Sequence, residues 1–450
     1  MRSDEDTIVA LATAPGRAAV AIIRVSGAGA SAVGAILGFP LPKPRVPAVR
    51  KLRQNDVELD QALILFFKGP GSYTGEDLVE LQIHGGRAVY DSVVSALIET
   101  PGYRYAEPGE FTRRAVLAGR LDLTEAEAIN DLVNAETEAQ RDLAMMQLGG
   151  SLREVFDAWS AKLTAIRAHL EAYIDFPDED IPDDVLEKLG GDLSELIQSM
   201  KDFSADGRRG ERLRNGMRIA VVGPPNAGKS SFVNWLAERD VAIVSPKVGT
   251  TRDVVEVHLD LGGYPVTVAD TAGLRDGGDV IEAEGMRRAR AWAGDADLRV
   301  LVIEARNADL VDPEVFGALE GDLVLLNKID LGESGGRQGS RVNGWPWRTQ
   351  AMSLVSGAGL TEAMKWITDV ARDRMEVSRR PVLSRSRHRA ALDASVCDLE
   401  VARRELALAR ELEIVAEVMR QAADSLGRVT GRIDVEDLLD VVFRDFCIGK

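Results

Sequence analysis

The chain of 450 residues carries only two cysteines, Cys397 and Cys447, and four histidines. Two thiols cannot build a disulfide framework, so a reducing compartment is expected. Four histidines scattered over this length show no zinc-ligand spacing. No apolar run approaches the ~20 residues that a membrane helix requires. The longest near the N-terminus, residues 18–23, is far too short. The opening Met1-Arg-Ser-Asp-Glu-Asp6 is acidic and fits neither a secretory signal nor a transit peptide. A cytoplasmic location is the expectation.

Positive charge is also in short supply. A net charge of −17 argues against coating nucleic acid by bulk electrostatics. Local basic patches remain able to do so. One such run is Arg372, Arg374, Arg379, Arg380, Arg385, Arg387 and Arg389, which reads equally well as a solvated linker. What is present is ordinary for a globular protein: 45% hydrophobic and 28% charged residues. The length calls for two to four domains.

Residues 1–119 read as mixed α/β. Short β-type runs at 20–25, 62–67 and 78–83 alternate with Gly/Pro punctuation. From about Leu121 the period changes. Leu152, Val155, Trp159, Leu163, Ile166, Leu170 and Tyr173 recur at spacings of three and four, one face of a helix. Residues 186–213 read as helix again. From Met217 the pattern becomes strand–loop–helix until about residue 375, and helical spacing returns at Leu392, Val396 and Leu399. These shifts place domains at 1–119, 120–215, 216–376 and 377–450. The flanking helices form either one helical domain interrupted by an inserted α/β domain or two unrelated helical domains. Periodicity alone does not choose between them.

The α/β segment carries the chemistry. Arg218-Ile-Ala-Val-Val222 is an apolar strand leading into Gly223-Pro-Pro-Asn-Ala-Gly-Lys-Ser230, a G-x-x-x-x-G-K-[ST] loop with a helix able to follow. Glycines let backbone N–H groups curl around phosphate, and the helix N-terminus adds its positive dipole end. Lys229 can reach the β/γ-phosphates and Ser230 can ligate Mg²⁺. Asp270-Thr-Ala-Gly273 follows a strand, so the Asp270 carboxylate can hold Mg²⁺ through water and the Gly273 N–H can sense the γ-phosphate. Thr251, in Gly249-Thr-Thr-Arg252, can complete the Mg²⁺ shell. Asn327-Lys-Ile-Asp330 selects the base, because Asp330 can accept from guanine N1–H and its exocyclic amine together. A site built on such bonds rejects an analogue lacking them by roughly 10⁴ or more. GTP is expected, not ATP. Leu274 stands where many signalling GTPases orient water with glutamine, so Glu282 is a candidate for that task. On the residues alone it reads first as an ordinary solvated glutamate at a helix start.

With these motifs in place, the sequence resembles the MnmE (TrmE) family, GTPases of tRNA wobble-uridine modification. The likeness spans the chain: Pro15-Gly-Arg17, His84-Gly-Gly86, Pro108-Gly-Glu-Phe111, Ile174-Asp-Phe-Pro-Asp-Glu179, Asp270-Thr-Ala-Gly-Leu-Arg275 and the terminal Phe446-Cys-Ile-Gly-Lys450. It implies a multidomain α/β and all-α fold: an N-terminal mixed α/β domain that binds folate and dimerises, then a helical domain interrupted by a P-loop GTPase domain. That domain is a Rossmann-like parallel sheet with helices on both faces. The implied activity is a K⁺-stimulated GTPase. With an FAD-containing MnmG-family partner in a heterotetramer, it adds an aminomethyl or carboxymethylaminomethyl group to C5 of the tRNA wobble uridine. The one-carbon unit comes from 5-formyl- or methylene-tetrahydrofolate.

Residues carried over by motif are Arg24, Glu80, Arg120 and Lys450 for folate, although members commonly have lysine where Arg120 stands. Nucleotide contacts would come from Asn226, Ala227, Gly228, Lys229, Ser230 and Ser231. Further contacts are implied for Ser245, Pro246, Lys247, Val248, Gly249, Thr250, Thr251, Asp270, Thr271, Ala272, Gly273, Asn327, Lys328 and Asp330. Ser353, Leu354 and Val355 replace the family's Ser-Ala-Lys/Arg beside the guanine. K⁺ would be held by Asn226, Ser245, Lys247 and Thr250. Glu282, Lys229, Arg275 and Cys447 are the candidate catalytic residues. Cys447 is either a thiol activated near Lys450 or a small apolar residue packing the tail. Two other functions fit parts of the chain. A ribosome-assembly GTPase would carry an RNA-binding module, but residues after 380 read as helix and not as a GXXG-bearing KH module. A folate-dependent one-carbon transferase would leave Asp330 and Glu282 without a purpose.

Overall fold

The computed structural model describes residues 6–175, 185–239, 241–243, 256–270, 294–316, 319, 321–331, 347–377, 380–408, 411–432, 439, 442, 443, 446 and 449. The chain divides into two compact units. One comprises Met1–Asn130, Gln147–Leu193 and Cys397–Lys450, and the other Asp131–Met146 and Ser194–Val396.

The first unit opens with six strands: β1 (Thr7–Leu11), β2 (Val20–Ser26), β3 (Ala48–Gln54), β4 (Val57–Phe67), β5 (Leu78–His84) and β6 (Tyr103–Tyr105). They form one sheet in the order β3-β4-β5-β2-β1-β6, antiparallel except for the β1–β6 pair. Alternation along the strands sets the two faces. Ile23, Val25, Ile64, Val79, Leu81 and Ile83 point into one core with Val93, Val94 and Leu97. Those last three come from α2 (Arg87–Ile98), which follows the short α1 (Val33–Ile36). The opposite face buries Ile8 and Ala10 against Phe111, at the start of α3 (Glu110–Leu117). Two arginines knit this side together: Arg104 pairs with Glu110 at 2.6 Å, and Arg114 with both Glu110 and Glu76. Burial alone would raise the Glu110 carboxyl, but hydrogen bonds from Arg104, the Glu107 N–H and Arg114 leave it below its ordinary value.

Next come α4 (Leu123–Val133), α5 (Glu138–Leu148) and α6 (Ser151–Asp175), then α7 (Val185–Ala205) and α8 (Gly207–Asn215). In the second unit β7 (Met217–Val222) leads to α9 (Lys229–Ala237), β8 (Glu256–Leu261), β9 (Tyr264–Asp270), β10 (Leu298–Glu304), β11 (Leu323–Asn327) and β12 (Arg348–Ala351). The sheet order is β12-β11-β10-β7-β9-β8, parallel apart from the β8–β9 hairpin. Strand order reverses at β7, so the crevice beyond its carboxyl end is where a ligand binds in such folds. Both faces are covered, which explains the unbroken apolar runs in β7, β10 and β11. Met217, Ile219 and Val221 share a core with Phe232 and Leu236 of α9 and with Leu360, Met364 and Ile367. The latter three belong to α10 (Leu360–Met375). Ala220, Val222, Leu301, Ile303 and Val324 face the other way, against Trp347.

The chain then runs through α11 (Ser386–Ala407) and, back in the first unit, α12 (Leu412–Thr430). The apolar stripe of α6, Phe156, Trp159, Leu163 and Ile166, is buried, as are Val415, Met419, Ala422 and Leu426 of α12, and these two helices pack together. Helices on either side of the inserted α/β segment therefore belong to one helical domain. The element type changes near the expected borders at 215/216 and 376/377, yet the α/β packing unit is wider, taking in α8 and part of α5 through Leu213 and Leu143.

Leu81, fully buried in a central strand of the first sheet, provides a test. Leu81→Ala should destabilise that unit by about 2–5 kcal/mol, read as a lowered denaturation midpoint. An unchanged midpoint contradicts this core.

Candidate functional site

β7 is buried along most of its length and delivers residues 223–228 to the carboxyl edge of its sheet. Gly228 precedes α9 with φ +106, and a Cβ there would lie 2.3 Å from the Asn327 Nδ2 atom. Only glycine fits that turn. Lys229 is 8% exposed, and its ammonium donates to the carbonyls of Gly223 at 2.9 Å and Pro224 at 2.7 Å. A cation so deeply set requires such acceptors, and the two carbonyls keep it folded over the loop it would share with a phosphate.

The second wall comes from the ends of β11 and β12. Asn327, 2% exposed, donates through Nδ2 to the Ala227 carbonyl at 2.9 Å and accepts from the Leu354 N–H at 3.4 Å. One amide thus joins the loop before α9 to the loop after β12. Asp330 is held in turn: its Oδ1 accepts from the Ser353 hydroxyl at 2.5 Å. Ser353 is fully buried, and its oxygen also accepts from the N–H groups of Val355 and Ser356. The departure at Ser353-Leu-Val355 therefore leaves a loop still tied to the Asp330 carboxylate, with Val355 turned to solvent.

Between these walls lies a cavity of about 880 Å³, within the size range of small-molecule sites. Asn226, Gly228, Lys229, Ser230, Ser231, Asn327, Lys328, Asp330, Leu354 and Val355 all line it, so sequence-predicted residues from three separate stretches converge on one space. Ser230 offers a hydroxyl and Asn226 an amide oxygen, hard oxygen donors of the kind that suit Mg²⁺ and K⁺. Ser245, Pro246, Lys247, Val248, Gly249, Thr250, Thr251, Thr271, Ala272, Gly273, Leu274, Arg275 and Glu282 lie outside the described residues, as do Cys447, Lys450 and the side chain of Asp270. Asn234, Trp235 and Glu238 also line the cavity, and no motif names them. Trp235 stacks on Phe232 with ring centroids 6.0 Å apart and carries the Arg239 guanidinium over its ring. Their signal is the helical period continuing from Ser231, one and two turns on.

In the first unit, Arg24 and Glu80 are cross-strand partners on β2 and β5, joined at 2.9 Å. The Arg24 guanidinium lies 5.5 Å from the Tyr73 ring centroid and 5.7 Å from that of Phe111, within cation–π range. It also donates to the Gly449 carbonyl at 3.3 Å, so the C-terminal tail reaches this pair. Gly449, at φ +97, passes so near β1 that an added Cβ would meet the Leu11 carbonyl. Arg120 is exposed and makes no hydrogen bond to Arg24 or Glu80 among the described residues.

Comparison with known proteins decides the family. Residues 123–447 match the family model for the MnmE helical domain, and residues 7–120 that for the GTP-binding protein TrmE N-terminus. The chain belongs to the MnmE (TrmE) family. It is 50% identical to a tRNA modification GTPase MnmE of Maricaulis maris, over 99% of both chains. It is 48% identical to one of Parvibaculum lavamentivorans, over 99% of this chain and 100% of that protein. MnmE is a family of GTP-hydrolysing enzymes of tRNA modification, and the GTPase architecture above is its own. Among the described residues no helix is long and apolar enough to cross a membrane. The arginine run at 372–389 is partly paired where it is described. Arg385 and Arg389 pair with Asp131 and Glu211, and Arg372 with Asp369.

Gly228→Ala should weaken binding of a fluorescent GTP analogue by at least about tenfold, because the new methyl displaces Asn327 or the loop. Unaltered affinity would remove this turn from the nucleotide site.

Proposed function

We propose that the chain is a K⁺-stimulated, Mg²⁺-dependent GTPase that works in the cytoplasm as a homodimer with an FAD-containing MnmG-family partner. The complex would install an aminomethyl or carboxymethylaminomethyl group on C5 of the tRNA wobble uridine, using a tetrahydrofolate one-carbon unit. The observation that carries the nucleotide half is the Asn327 bridge, which gathers Lys229 and Asp330 around one cavity. Asp330 would accept from the guanine edge, pre-aimed by Ser353. Lys229 would exchange its loop carbonyls for the β/γ-phosphates. Ser230, Thr251 and Asp270 would hold Mg²⁺, and Asn226, Ser245, Lys247 and Thr250 would hold K⁺. The two cations supply positive charge where the transferring phosphate develops negative charge. Glu282 orients water in place of the apolar Leu274, with Arg275 beside it.

The folate half rests on the Arg24–Glu80 pair and the tail carbonyl beside it. A half-buried carboxylate, paired with a guanidinium that lies near two aromatic rings, suits the flat, N–H-rich edge of a pterin. Lys450, one residue past Gly449, and Arg120 would meet the acidic tail of the folate. Cys447 serves either as thiolate or as packing for the tail. The direct test of the whole is mass spectrometry of wobble nucleosides in cells lacking this protein. Loss of the C5 aminomethyl-type modification is expected, and an intact modification overturns the proposal.

GTP turnover should be faster in K⁺ than in Na⁺ at equal ionic strength. Glu282→Ala should lower kcat on the order of 10²-fold with GTP affinity nearly unchanged. Equal rates in the two salts remove the K⁺ role, and an unimpaired variant removes Glu282 from the chemistry.

Calorimetric titration with 5-formyl-tetrahydrofolate should show binding that is lost when residues 447–450 are deleted. Equal binding by the shortened chain excludes the tail from that pocket.

A further inference from the structure

In a chain of net charge −17, residues 7–55 contain no aspartate or glutamate but seven lysines and arginines. Five of these, Lys43, Arg45, Arg50, Lys51 and Arg53, sit on β3 or the loop before it, and β3 is an edge of the first sheet. Lys68 joins them just after β4. The Arg45 N–H bonds the Phe66 carbonyl, and the Arg45 guanidinium lies 5.8 Å from the Phe67 ring centroid and reaches the Gly71 carbonyl. The cations thus run from the end of β4 along the β3 edge, roughly 20 Å at the rise of a strand.

Their charges are mostly unspent. Lys43, Arg45, Arg50 and Lys68 have no carboxylate partner among the described residues, and Arg50 donates only to the carbonyls of Pro40 and Val49. Lys51 and Arg53 share a single carboxylate, Glu58, at 3.0 and 3.7 Å. The hydrogen bond from Lys51, with the charge of Arg53, holds Glu58 below the usual carboxylate range. Of the nearby acids, Asp77 accepts from the Gly69 N–H, Asp60 from the His84 backbone N–H and Glu99 from Gln54, while Asp56 stands in the turn between β3 and β4. By contrast, Arg372, Arg385 and Arg389 of the run at 372–389 are bound to carboxylates of their own unit.

We propose that the β3 edge and the adjoining residues Lys43, Arg45 and Lys68 form the surface on which the sugar–phosphate backbone of tRNA docks. The proposal rests on tRNA being the substrate, and on neither the folate nor the K⁺ assignment. An acidic protein repels a polyanion at long range, so binding needs a place where the local sign is reversed. Flexible lysines and arginines without carboxylate partners on an exposed strand edge suit phosphate oxygens, which position a nucleic acid without reading its sequence. Lysine at a sheet edge also discourages edge-to-edge pairing. That role does not require four unpaired cations to gather beside the edge and beyond its end.

The test is tRNA binding by the full-length protein, followed by fluorescence anisotropy across a salt series. Replacing Lys43, Arg45, Arg50 and Lys68 together by glutamine should weaken binding on the order of tenfold and flatten the slope of log K against log salt by about 3. Basal GTP hydrolysis should stay unchanged. Lys43→Gln with Lys68→Gln, which breaks no hydrogen bond seen here, should give about half that change in slope. Glu58→Gln, which frees Lys51 and Arg53, should tighten binding, a gain that misfolding cannot mimic. If wild type binds tRNA and all three variants keep its affinity and slope, this surface is overturned while tRNA remains the substrate. Absence of binding by wild type overturns both. If the variants lose affinity for vesicles of anionic lipid but keep it for tRNA, the surface belongs to a membrane and the proposal fails.

Discussion

One buried amide organises the nucleotide site. Asn327 stands at the end of a buried parallel strand, so its side chain has little freedom and no water to satisfy it. It takes the Ala227 carbonyl on one side and the Leu354 N–H on the other. A buried polar group left unmade costs roughly 1–3 kcal/mol, so both loops are held to it. The loop that would grip phosphate and the loop that would read the base are thereby fixed to each other. Asp330 gains its aim from the same arrangement, because the Ser353 that bonds it lies next to Leu354.

The N-terminal unit depends on a comparable closure by the tail. The Arg24 guanidinium lies within cation–π range of two aromatic rings and bonds a carboxylate and the Gly449 carbonyl. Phe443 and Phe446 pack with Leu123 and Ala126 of α4, so the tail is anchored by apolar burial before it reaches Arg24. The end of the chain and its second strand therefore meet within one compact unit, with the whole α/β insertion between them in sequence.

What was legible in the sequence follows the range of the interactions. The loop before α9, the Asn-Lys-Ile-Asp stretch and the α6 stripe are local patterns, and each lies on the expected element. Strands β2, β4 and β5 could be read from their apolar runs. The edge strand β3 could not, because Arg50, Lys51 and Arg53 break up its alternation. Periodicity left open whether the flanking helices touch, and the packing of α6 on α12 answers it. The domain borders were the least visible, because α7 and α11 run unbroken from one packing unit to the other, and a continuous helix gives no signal where its packing partner changes. For Trp235 the helical spacing from Ser231 gives the face, but not its stacking on Phe232. The tail contact to Arg24 spans nearly the full chain, and only the family likeness of the terminal residues pointed toward it.

Asn327 thus couples phosphate grip to base selection. The measurement that tests it most directly is equilibrium titration of the full-length Asn327→Ala protein with GTP and with ATP. GTP affinity should fall on the order of tenfold, the effect of an unmade buried hydrogen bond, and the preference for GTP over ATP should shrink with it. Unchanged GTP affinity, or a weakened affinity with the preference intact, would contradict it.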